Sequence, residues 1–171
     1  MNKEVSFELI ESAKQSEADF IQLYRHYVKR VFRFLLARTS NKELAEDLTQ
    51  ETFLTVLNKI VNYTPSGAPF SSWLFQIAIN HARMHFRKHK NYQFTDIEAI
   101  AEILPNQPTY QQEWMDFYLA LYKLTDADQE LLLMKYVDDM PNQNIAEVLG
   151  ISENSCGVKL HRALKRLQNF L

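Results

Sequence analysis

The stretch PNQNIAEVLGISENSCGVKLHRALKRLQNF, residues 141–170, decides the fold of the C-terminal part of the chain. Apolar residues recur at helical spacing on both sides of Gly150, which predicts a short helix over 142–149, a tight turn and a longer helix over 153–167. Gly150 suits the left-handed conformation that often ends a helix, and Ser152 can cap the helix that follows. This order of elements is typical of a helix-turn-helix.

The longer helix combines an apolar stripe with a cationic surface. Its apolar residues lie at i, i+4, i+7, i+8 and i+11, namely Cys156, Leu160, Ala163, Leu164 and Leu167. Such a helix is suited to the major groove, because Lys and Arg neutralise phosphates and residues near the helix start reach base edges. An ordinary amphipathic terminal helix is the alternative, but it would not require the turn Gly, the cap Ser and the cationic face together. The candidate DNA-binding residues are Asn154, Ser155, Lys159, His161, Arg162 and Arg166.

The composition indicates a globular and mainly helical chain. Of its 171 residues, 46% are hydrophobic, which suffices for a core, and only 3 are Gly and 5 are Pro. The single cysteine, Cys156, excludes an internal disulfide and fits a reducing cytoplasm. No apolar run approaches the ~18 residues of a membrane-spanning helix, and the N-terminus has acids where a signal peptide needs an apolar stretch. We therefore expect a cytoplasmic protein without a membrane span.

The net charge of −2 conceals an uneven distribution of charge. Residues 1–90 hold 13 Lys and Arg against 9 Asp and Glu, residues 91–108 hold 3 acids and no cation, and residues 109–171 hold 6 cations against 9 acids. Four cations gather in 83–90 and four in 159–166. Because local clusters set the potential at a surface, a nearly neutral chain can still bind nucleic acid.

Helical periodicity predicts helices over 6–38, 42–61 and 70–90 in the N-terminal part of the chain. The helix over 42–61 has an acidic outer face, which would suit a basic protein partner and repel DNA, although such faces are usually solvated surface. Two Pro, three acids and no cation mark 91–108 as a linker with one helical turn near 96–104. Further helices are predicted over Tyr110–Leu124 and from Asp126 to Val137. The outward residues of the acidic face on the 42–61 helix include Asp47, Gln50 and Glu51.

The helix over 70–90 carries aromatic residues beside cations, a combination that can hold unpaired bases. Trp73 lies at core spacing, so a structural role is favoured for it. His81, His85 and His89 share one face, but no Cys, Asp or Glu lies near them in sequence, so we expect no metal and no cofactor. Phosphate-binding loops, His-Glu metal motifs and nucleophile elbows are also missing, and the sequence does not predict an enzyme.

Three stretches in this order resemble the extracytoplasmic-function (ECF) group of bacterial sigma factors, which direct RNA polymerase to promoters. They are AEDLTQETFLTVL (45–57), FSSWLFQIAINHARMHFRKHK (70–90) and the segment 124–167 that ends in the helix-turn-helix. The last stretch alone resembles many regulators, whereas the acidic DLTQETF helix followed by the WLFQIA helix is much more specific. The resemblance covers most of residues 15–170.

This resemblance implies an all-α fold of two small helical domains, a region 2 domain over 1–90 and a region 4 domain over 109–171, joined by a linker over 91–108. The first domain would bind the clamp of core RNA polymerase and hold the opened promoter near position −10. The second would read the −35 element through 153–167 and dock on the polymerase flap. The implied polymerase contacts are Asp47, Gln50 and Glu51, and the implied −10 contacts are Asn80, Arg83, Arg87 and Lys88.

Gly157 departs from the family pattern, and two other functional classes remain open. Gly157 stands where the family more often has a long polar residue, and Gly in a helix interior costs about 1 kcal/mol relative to Ala; we expect the helix to tolerate it. A stand-alone dimeric helix-turn-helix regulator would explain 141–170 but would leave the acidic helix and the 70–90 segment without a role. A helical enzyme using the histidines is a third class, and an anti-sigma factor is an open further partner.

Overall fold

The computed structural model describes residues 4–89, 97–104 and 108–171. All regular structure within these ranges is helical, which confirms the predicted fold class. Single 3-10 turns, Ile60–Asn62 and Ala101–Ile103, follow the third and fifth α-helices. The α-helices are α1 (Phe7–Ala13), α2 (Glu17–Thr39), α3 (Lys42–Lys59), α4 (Phe70–Lys88), α5 (Ile97–Ile100), α6 (Pro108–Leu121), α7 (Asp126–Tyr136), α8 (Asn142–Leu149) and α9 (Glu153–Gln168).

The predicted single helix over 6–38 is in fact two helices, α1 and α2, so that prediction was wrong. Ser16 has an extended backbone, and its Oγ accepts a hydrogen bond from the Asp19 N–H at 3.2 Å. This cap satisfies one of the free N–H groups at the start of α2 and gives the chain a reason to restart there. Apolar spacing alone did not reveal the break, because the α2 pattern begins only at Phe20.

Three other predicted helix starts, those of α3, α7 and α9, are confirmed by side-chain caps. Asn41 accepts from the Leu44 N–H at 2.9 Å before α3, and Thr125 accepts from the Asp128 N–H at 3.4 Å before α7. Ser152 Oγ performs the same task for α9. Capping by Ser, Thr or Asn contributes about 1 kcal/mol at each helix start, so local sequence fixes where these helices begin.

The first domain packs α1, α3 and α4 around α2. Tyr27 and Val31 of α2 are fully buried, and Phe34 meets Phe75 of α4 edge to face with ring centroids 5.4 Å apart. Next to α3, the Tyr24 ring contacts Phe53 at 4.8 Å. Each such aromatic pair adds about 0.5–1.5 kcal/mol beyond the buried area. The arrangement holds α3 and α4 in fixed positions with their polar faces outward.

Part of the predicted linker packs against α2. The expected helical turn near 96–104 is found as α5 and the 3-10 turn that follows it, and Ile100 and Ile103 are buried there. Both short elements contact α2. Residues 91–96 and 105–107 of the predicted linker lie outside the described residues.

The second domain contains the helix-turn-helix formed by α8, at the bounds expected from the sequence, and α9, which extends one residue further than expected. Gly150 ends α8 in the left-handed conformation with φ +65°. Cys156 is fully buried on the inner face of α9, and Leu160, Ala163 and Leu167 of the same face are also buried, which confirms the apolar stripe. The opposite face of α9 is therefore presented to solvent.

The two domains are in direct contact, with α2 and α4 of the first against α7 and α8 of the second. Arg30 of α2 makes a bidentate pair with Asp138, with Nε–Oδ1 3.0 Å and Nη2–Oδ2 2.7 Å. About two turns further along α2, the fully buried Arg38 donates hydrogen bonds to Asp126 at 2.8 Å and to Gln129 at 3.0 Å. Charge-assisted bidentate pairs of this kind fix orientation as well as contributing energy. None of the described helices is long and apolar enough to cross a lipid bilayer.

Candidate nucleic-acid interface

The structure exposes every site residue that the sequence predicts, in three groups. One group lies on α3, one on α4 and one on α9, so each group occupies a single helix face. The α3 group is Asp47, Gln50 and Glu51; the α4 group is Asn80, Arg83, Arg87 and Lys88; the α9 group is Asn154, Ser155, Lys159, His161, Arg162 and Arg166. Their surroundings differ enough to separate their possible roles.

The acidic face of α3 continues into an exposed apolar strip. Leu54 and Val61 are each 60% exposed and lie at helical spacing beyond Glu51. The helical spacing of Leu57 from Phe53 and Val56 predicts a buried position, but Leu57 is 50% exposed, so this prediction is wrong. Acidic and apolar groups side by side are suited to a protein partner, because buried apolar anchors supply most interface energy.

His81 of α4 ties the α4 helix to the acidic face of α3. Its Nε2 lies 2.9 Å from Thr55 Oγ1, and its Nδ1 lies 3.3 Å from Glu51 Oε2. The histidine thus fixes the rotation of α4 relative to Glu51. The sequence did not indicate this role, because α3 and α4 come into contact only in the folded chain.

His85 lies in the last turn of α4, and His89 follows directly after the helix. The rings of His85 and His89 stack with centroids 4.3 Å apart, while His81 is engaged with α3. Partial burial lowers the pKa of His85, and the neighbouring His89 lowers it further. Within the described ranges no three His, Cys, Asp or Glu side chains gather as metal ligands would.

The α4 cations have unequal environments. Arg87 and Lys88 are exposed and take part in no ion pair among the described residues, and Asn80 is exposed about two turns before them. Arg83 instead forms a bidentate pair with Glu130 of α7, with Nε–Oε1 3.1 Å and Nη2–Oε2 2.6 Å. These hydrogen bonds raise the pKa of Arg83 above its ordinary value. The acid lies 47 residues along the chain, so no local pattern could have identified it.

An aromatic cluster stands at the start of α4. Trp73 packs on Tyr63 at 4.9 Å and on Phe70 at 5.4 Å between ring centroids, in agreement with its predicted structural role. Trp73 is only partly buried, however, and also lines an open polar cavity of about 360 Å³ between the loop over 62–69 and α4. Glu147 of α8 reaches the edge of this cavity.

A second open hollow, of about 650 Å³, lies along the outer face of α9. Three predicted residues, Asn154, His161 and Arg162, line it together. The predicted DNA-binding set does not contain the other lining residues, because it was limited to basic and uncharged polar side chains of α9. Those residues are Asn142, Glu153, Gly157 and Val158.

The remaining predicted α9 residues lie apart from this hollow. Ser155 accepts a hydrogen bond from Ser152 Oγ at 2.8 Å and so belongs to the helix cap. Arg166 makes a bidentate pair with Asp128 of α7, with both N–O distances 2.7 Å. Lys159 is exposed. The geometry therefore divides the predicted set into a central group and a flank.

An apolar groove of about 280 Å³ marks another surface of the second domain. It lies between α6 and α7 and is lined by Glu113, Trp114, Phe117 and Tyr136. Aromatic rings dominate it, and Tyr136 is 42% exposed. Grooves with aromatic walls and one charge suit an apolar segment of a protein.

Comparison with known proteins gives consistent matches over both domains. Residues 23–92 match the family Sigma-70 region 2, and residues 114–167 match the family Sigma-70, region 4. The chain is 31% identical to the RNA polymerase sigma factor YlaC of Bacillus subtilis over 160 residues, covering 85% of this chain and 88% of YlaC. It is 32% identical to the ECF RNA polymerase sigma factor SigM of Bacillus subtilis over 151 residues, covering 86% and 91%. The fold is also that of the sigma factor RpoE in a co-crystal structure with the anti-sigma factor NepR from Bartonella quintana, at TM-score 0.70 and 22% identity over 89% of this chain and 96% of that chain.

Proposed function

Because this chain belongs to the ECF RNA polymerase sigma factors, we propose that its three exposed faces divide the work of promoter recognition among them. The chain is an RNA polymerase sigma factor, and a non-enzymatic role follows from that family. The surface on α3 is assigned to core polymerase, the surface on α4 to the opened −10 region and the surface on α9 to the −35 element. The single observation that carries this division is the exposure of an acidic face and two cationic faces on three separate helices.

The polymerase surface is proposed to centre on Asp47, Gln50 and Glu51, with Leu54 as its apolar anchor. Exposed carboxylates favour a basic partner and repel DNA, which separates this face from the other two. A leucine that is 60% exposed gains free energy when it is buried against a protein. The bond between His81 and Thr55 would keep this face in a fixed relation to α4.

The −10 surface is proposed to use Arg87, Lys88 and, once released from Glu130, Arg83 for phosphates. Asn80 can pair with a base edge or with backbone, since its amide both donates and accepts. The cavity beside Trp73 is large enough for an unstacked base, and aromatic stacking contributes about 1–3 kcal/mol per base in single-strand binding. Such contacts would offset the few kcal/mol that unstacking costs.

The −35 surface is proposed to be the hollow along α9. Asn154, His161 and Arg162 line it and can reach base edges and phosphates from one face. Glu153 is suited to accept a hydrogen bond from a cytosine amino group. Lys159 and Arg166 would act on the flank, where Arg166 first has to leave Asp128 or contact DNA with its remaining donors. Ser155 belongs to this surface through its place in the cap.

The domain boundaries of the proposal are those expected from the sequence, 1–90 and 109–171 with the linker 91–108. The groove between α6 and α7 is proposed as the docking place for the polymerase flap, because its aromatic walls suit an apolar segment. Core polymerase and promoter DNA are both cytoplasmic, so the proposal places the chain in the cytoplasm. An anti-sigma factor is a further proposed partner, as for the RpoE structure that shares this fold.

A reconstituted transcription assay tests the proposal. Purified protein is added to core RNA polymerase and a library of promoter-sized duplexes, and transcripts are sequenced at their starts. We expect initiation that depends on both proteins and protection of two unlike DNA elements. Protection of two symmetric half-sites without polymerase would instead support a dimeric helix-turn-helix regulator, whose operator symmetry mirrors its own.

A further inference from the structure

The loop over 62–69, which forms one wall of the cavity beside Trp73, has little structure of its own. In the described part of the chain, no hydrogen bond involves residues 64–68. The loop nevertheless places the polar side chains of Thr64 and Ser66 on the cavity. A loop without internal hydrogen bonds takes its shape from whatever holds its two ends, so the contacts at those ends decide the shape of the cavity.

Lys14, which follows directly after α1, holds the first end of this loop. Its Nζ donates a hydrogen bond to the Tyr63 carbonyl oxygen at 2.9 Å and another to Glu11 Oε1 at 2.7 Å. Hydrogen bonds from an ammonium group are stronger than neutral ones, and the Lys14 side chain is only 16% exposed. The Tyr63 carbonyl is the last backbone group before the stretch without hydrogen bonds. The bond from Lys14 therefore sets the direction in which the loop leaves its 3-10 turn.

Glu4, which precedes α1, holds the other end of the loop at the start of α4. Its Oε1 accepts a hydrogen bond from Ser71 Oγ, and its Oε2 accepts one from the Ser71 N–H at 3.4 Å. Pro69 provides no side-chain cap for α4, and the first turn of that helix contains no acid. A carboxylate is favoured at a helix N-terminus, and here it comes from 67 residues earlier in the chain.

The segment over 4–14 is itself anchored on the core of the first domain. The hydroxyl of Tyr27 on α2 donates to Glu4 Oε2 at 2.8 Å and accepts from the Val5 N–H at 3.4 Å. Burial and the charge of Glu4 raise the pKa of Tyr27, so this hydroxyl stays protonated and continues to donate. Ile10 of α1 is buried as well. Both ends of the loop are thus held by one short segment that is fixed to α2.

We propose that Glu4 and Lys14 are positioning residues for the cavity that receives an unstacked base, because they hold the two ends of the loop over 62–69. This inference rests on the proposed function, which assigns that cavity to the −10 region. Neither residue lines the cavity, so each acts through the loop. Loss of either contact should relax the choice of base at one promoter position. The phosphate contacts of Arg87 and Lys88 should keep their contribution to affinity.

The first test measures base preference with the complete holoenzyme. The parent chain, Glu4→Ala and Lys14→Met are each combined with core polymerase on promoters that carry each of the four bases at every −10 position in turn. At the position that the parent discriminates most strongly, we expect the ratio of initiation between the best and the worst base to fall about fivefold in both variants, as for the loss of a helix cap or of a hydrogen bond. The salt slope should not change, because no phosphate contact is removed. An equal loss of initiation on all templates would indicate a merely structural role and overturn the proposal.

Three matched variants separate the contacts with the loop from other changes in the same segment. Glu8→Ala removes an exposed acid without a described contact to the loop, and Glu11→Gln removes the other partner of Lys14 but leaves its bond to Tyr63. Lys14→Arg keeps a cationic donor. We expect all three to retain the base preference within about twofold, as substitutions outside critical contacts usually do. Equal losses in Glu8→Ala and Glu4→Ala would overturn the proposal.

The second test follows the loop without DNA or polymerase. In a Trp114→Phe background Trp73 is the single tryptophan, and its fluorescence is quenched with acrylamide. Because Trp73 is partly buried beside the loop, release of either loop end should increase its quenching in Glu4→Ala and Lys14→Met but not in Glu8→Ala. Circular dichroism checks that each variant folds. Unchanged quenching in both loop variants would overturn the proposal.

The two proposals fail in different ways. If the holoenzyme initiates and discriminates bases, but neither Glu4→Ala nor Lys14→Met alters the preference, the positioning role is wrong and the promoter function stands. If the parent shows no preference at any −10 position, the cavity does not select a base and the inference is overturned with it. If no polymerase-dependent initiation is seen, the division of faces is wrong and the inference falls with it.

Discussion

Replacing Gly157 by Ala tests the interpretation of the α9 surface most directly. A β-carbon built on Gly157 meets no atom within 4 Å, and this glycine does not have a positive φ. The substitution therefore adds no clash and no new contact, and only helix propensity changes. We expect a gain of about 1 kcal/mol in the free energy of unfolding, because Gly is that much less favourable than Ala in a helix interior. For a chain of this size the melting temperature should rise by about 2–4 °C.

Gly150 provides an internal control for that prediction. A β-carbon there also meets nothing within 4 Å, so the two sites are sterically alike. The backbone of Gly150, however, has φ +65°, a conformation that costs other L-residues about 1–2 kcal/mol. Gly150→Ala should therefore lower the melting temperature while Gly157→Ala raises it. The opposite signs would isolate the backbone as the cause.

The assay combines thermal and urea unfolding with binding to a −35 duplex found in the reconstituted system. Gly157→Ala should leave affinity within about twofold, and Gly157→Lys should add one phosphate contact, making the salt slope steeper by about 0.9. A loss of −35 binding in a stably folded Gly157→Ala protein would refute the reasoning. It would mean that DNA approaches the α9 backbone so closely that a methyl group is not accommodated.

Four further outcomes follow from the described surfaces. Asp47→Lys combined with Glu51→Lys should weaken core polymerase binding in a pull-down at moderate salt and leave the fold intact by circular dichroism, since both side chains are exposed and His81 keeps its contact with Thr55; unaltered binding would reject the α3 assignment. Arg162→Ala should reduce initiation equally on duplex and premelted promoters and cost about 1–3 kcal/mol in −35 affinity, whereas Arg87→Ala should be rescued by premelting; equal rescue would mean the two surfaces are misassigned. Partial burial lowers the pKa of His85, so the unfolded chain takes up this proton at a higher pH than the folded chain does. The contribution of His85 to stability is therefore present above the unfolded pKa of about 6.5 and is lost as the pH falls through the lower folded pKa. The fall in melting temperature between pH 7 and pH 5 should be smaller in His85→Gln than in the parent chain. Adding a chelator should not shift the melting temperature, whereas a drop of many degrees would point to a structural metal.

The features that the sequence predicted correctly are those set by neighbouring residues. Ser152, Gly150 and Thr125 act within a few positions of themselves, so their caps and turns can be recognised without any tertiary contact. The apolar stripe of α9 is equally local, because one face of a helix follows directly from spacing. Exposure of the predicted site residues follows from the same spacing.

The features that the sequence did not reveal depend on contacts between distant segments. Arg83 and Arg166 look like equivalent free cations in the sequence, yet each is paired with an acid of α7. Leu57 has the spacing of a buried residue, but nothing packs over that part of α3 and half of its surface stays exposed. Such outcomes are decided by which helices meet, and helical periodicity does not specify that.

The two arginines of α2, through their paired acids, set the position of the second domain relative to the first. Arg30 and Arg38 are eight residues apart, about 12 Å along a rigid helix, and their acids bracket the two ends of α7. A chimera that receives its second domain from a relative should dock only if that domain carries acids at both ends of the corresponding helix. The length of the chain joining the domains matters less, because each doubling of a flexible connection costs only about 0.6 kcal/mol. Exchange of domains between relatives would thus be limited by the spacing of two charges rather than by the connection.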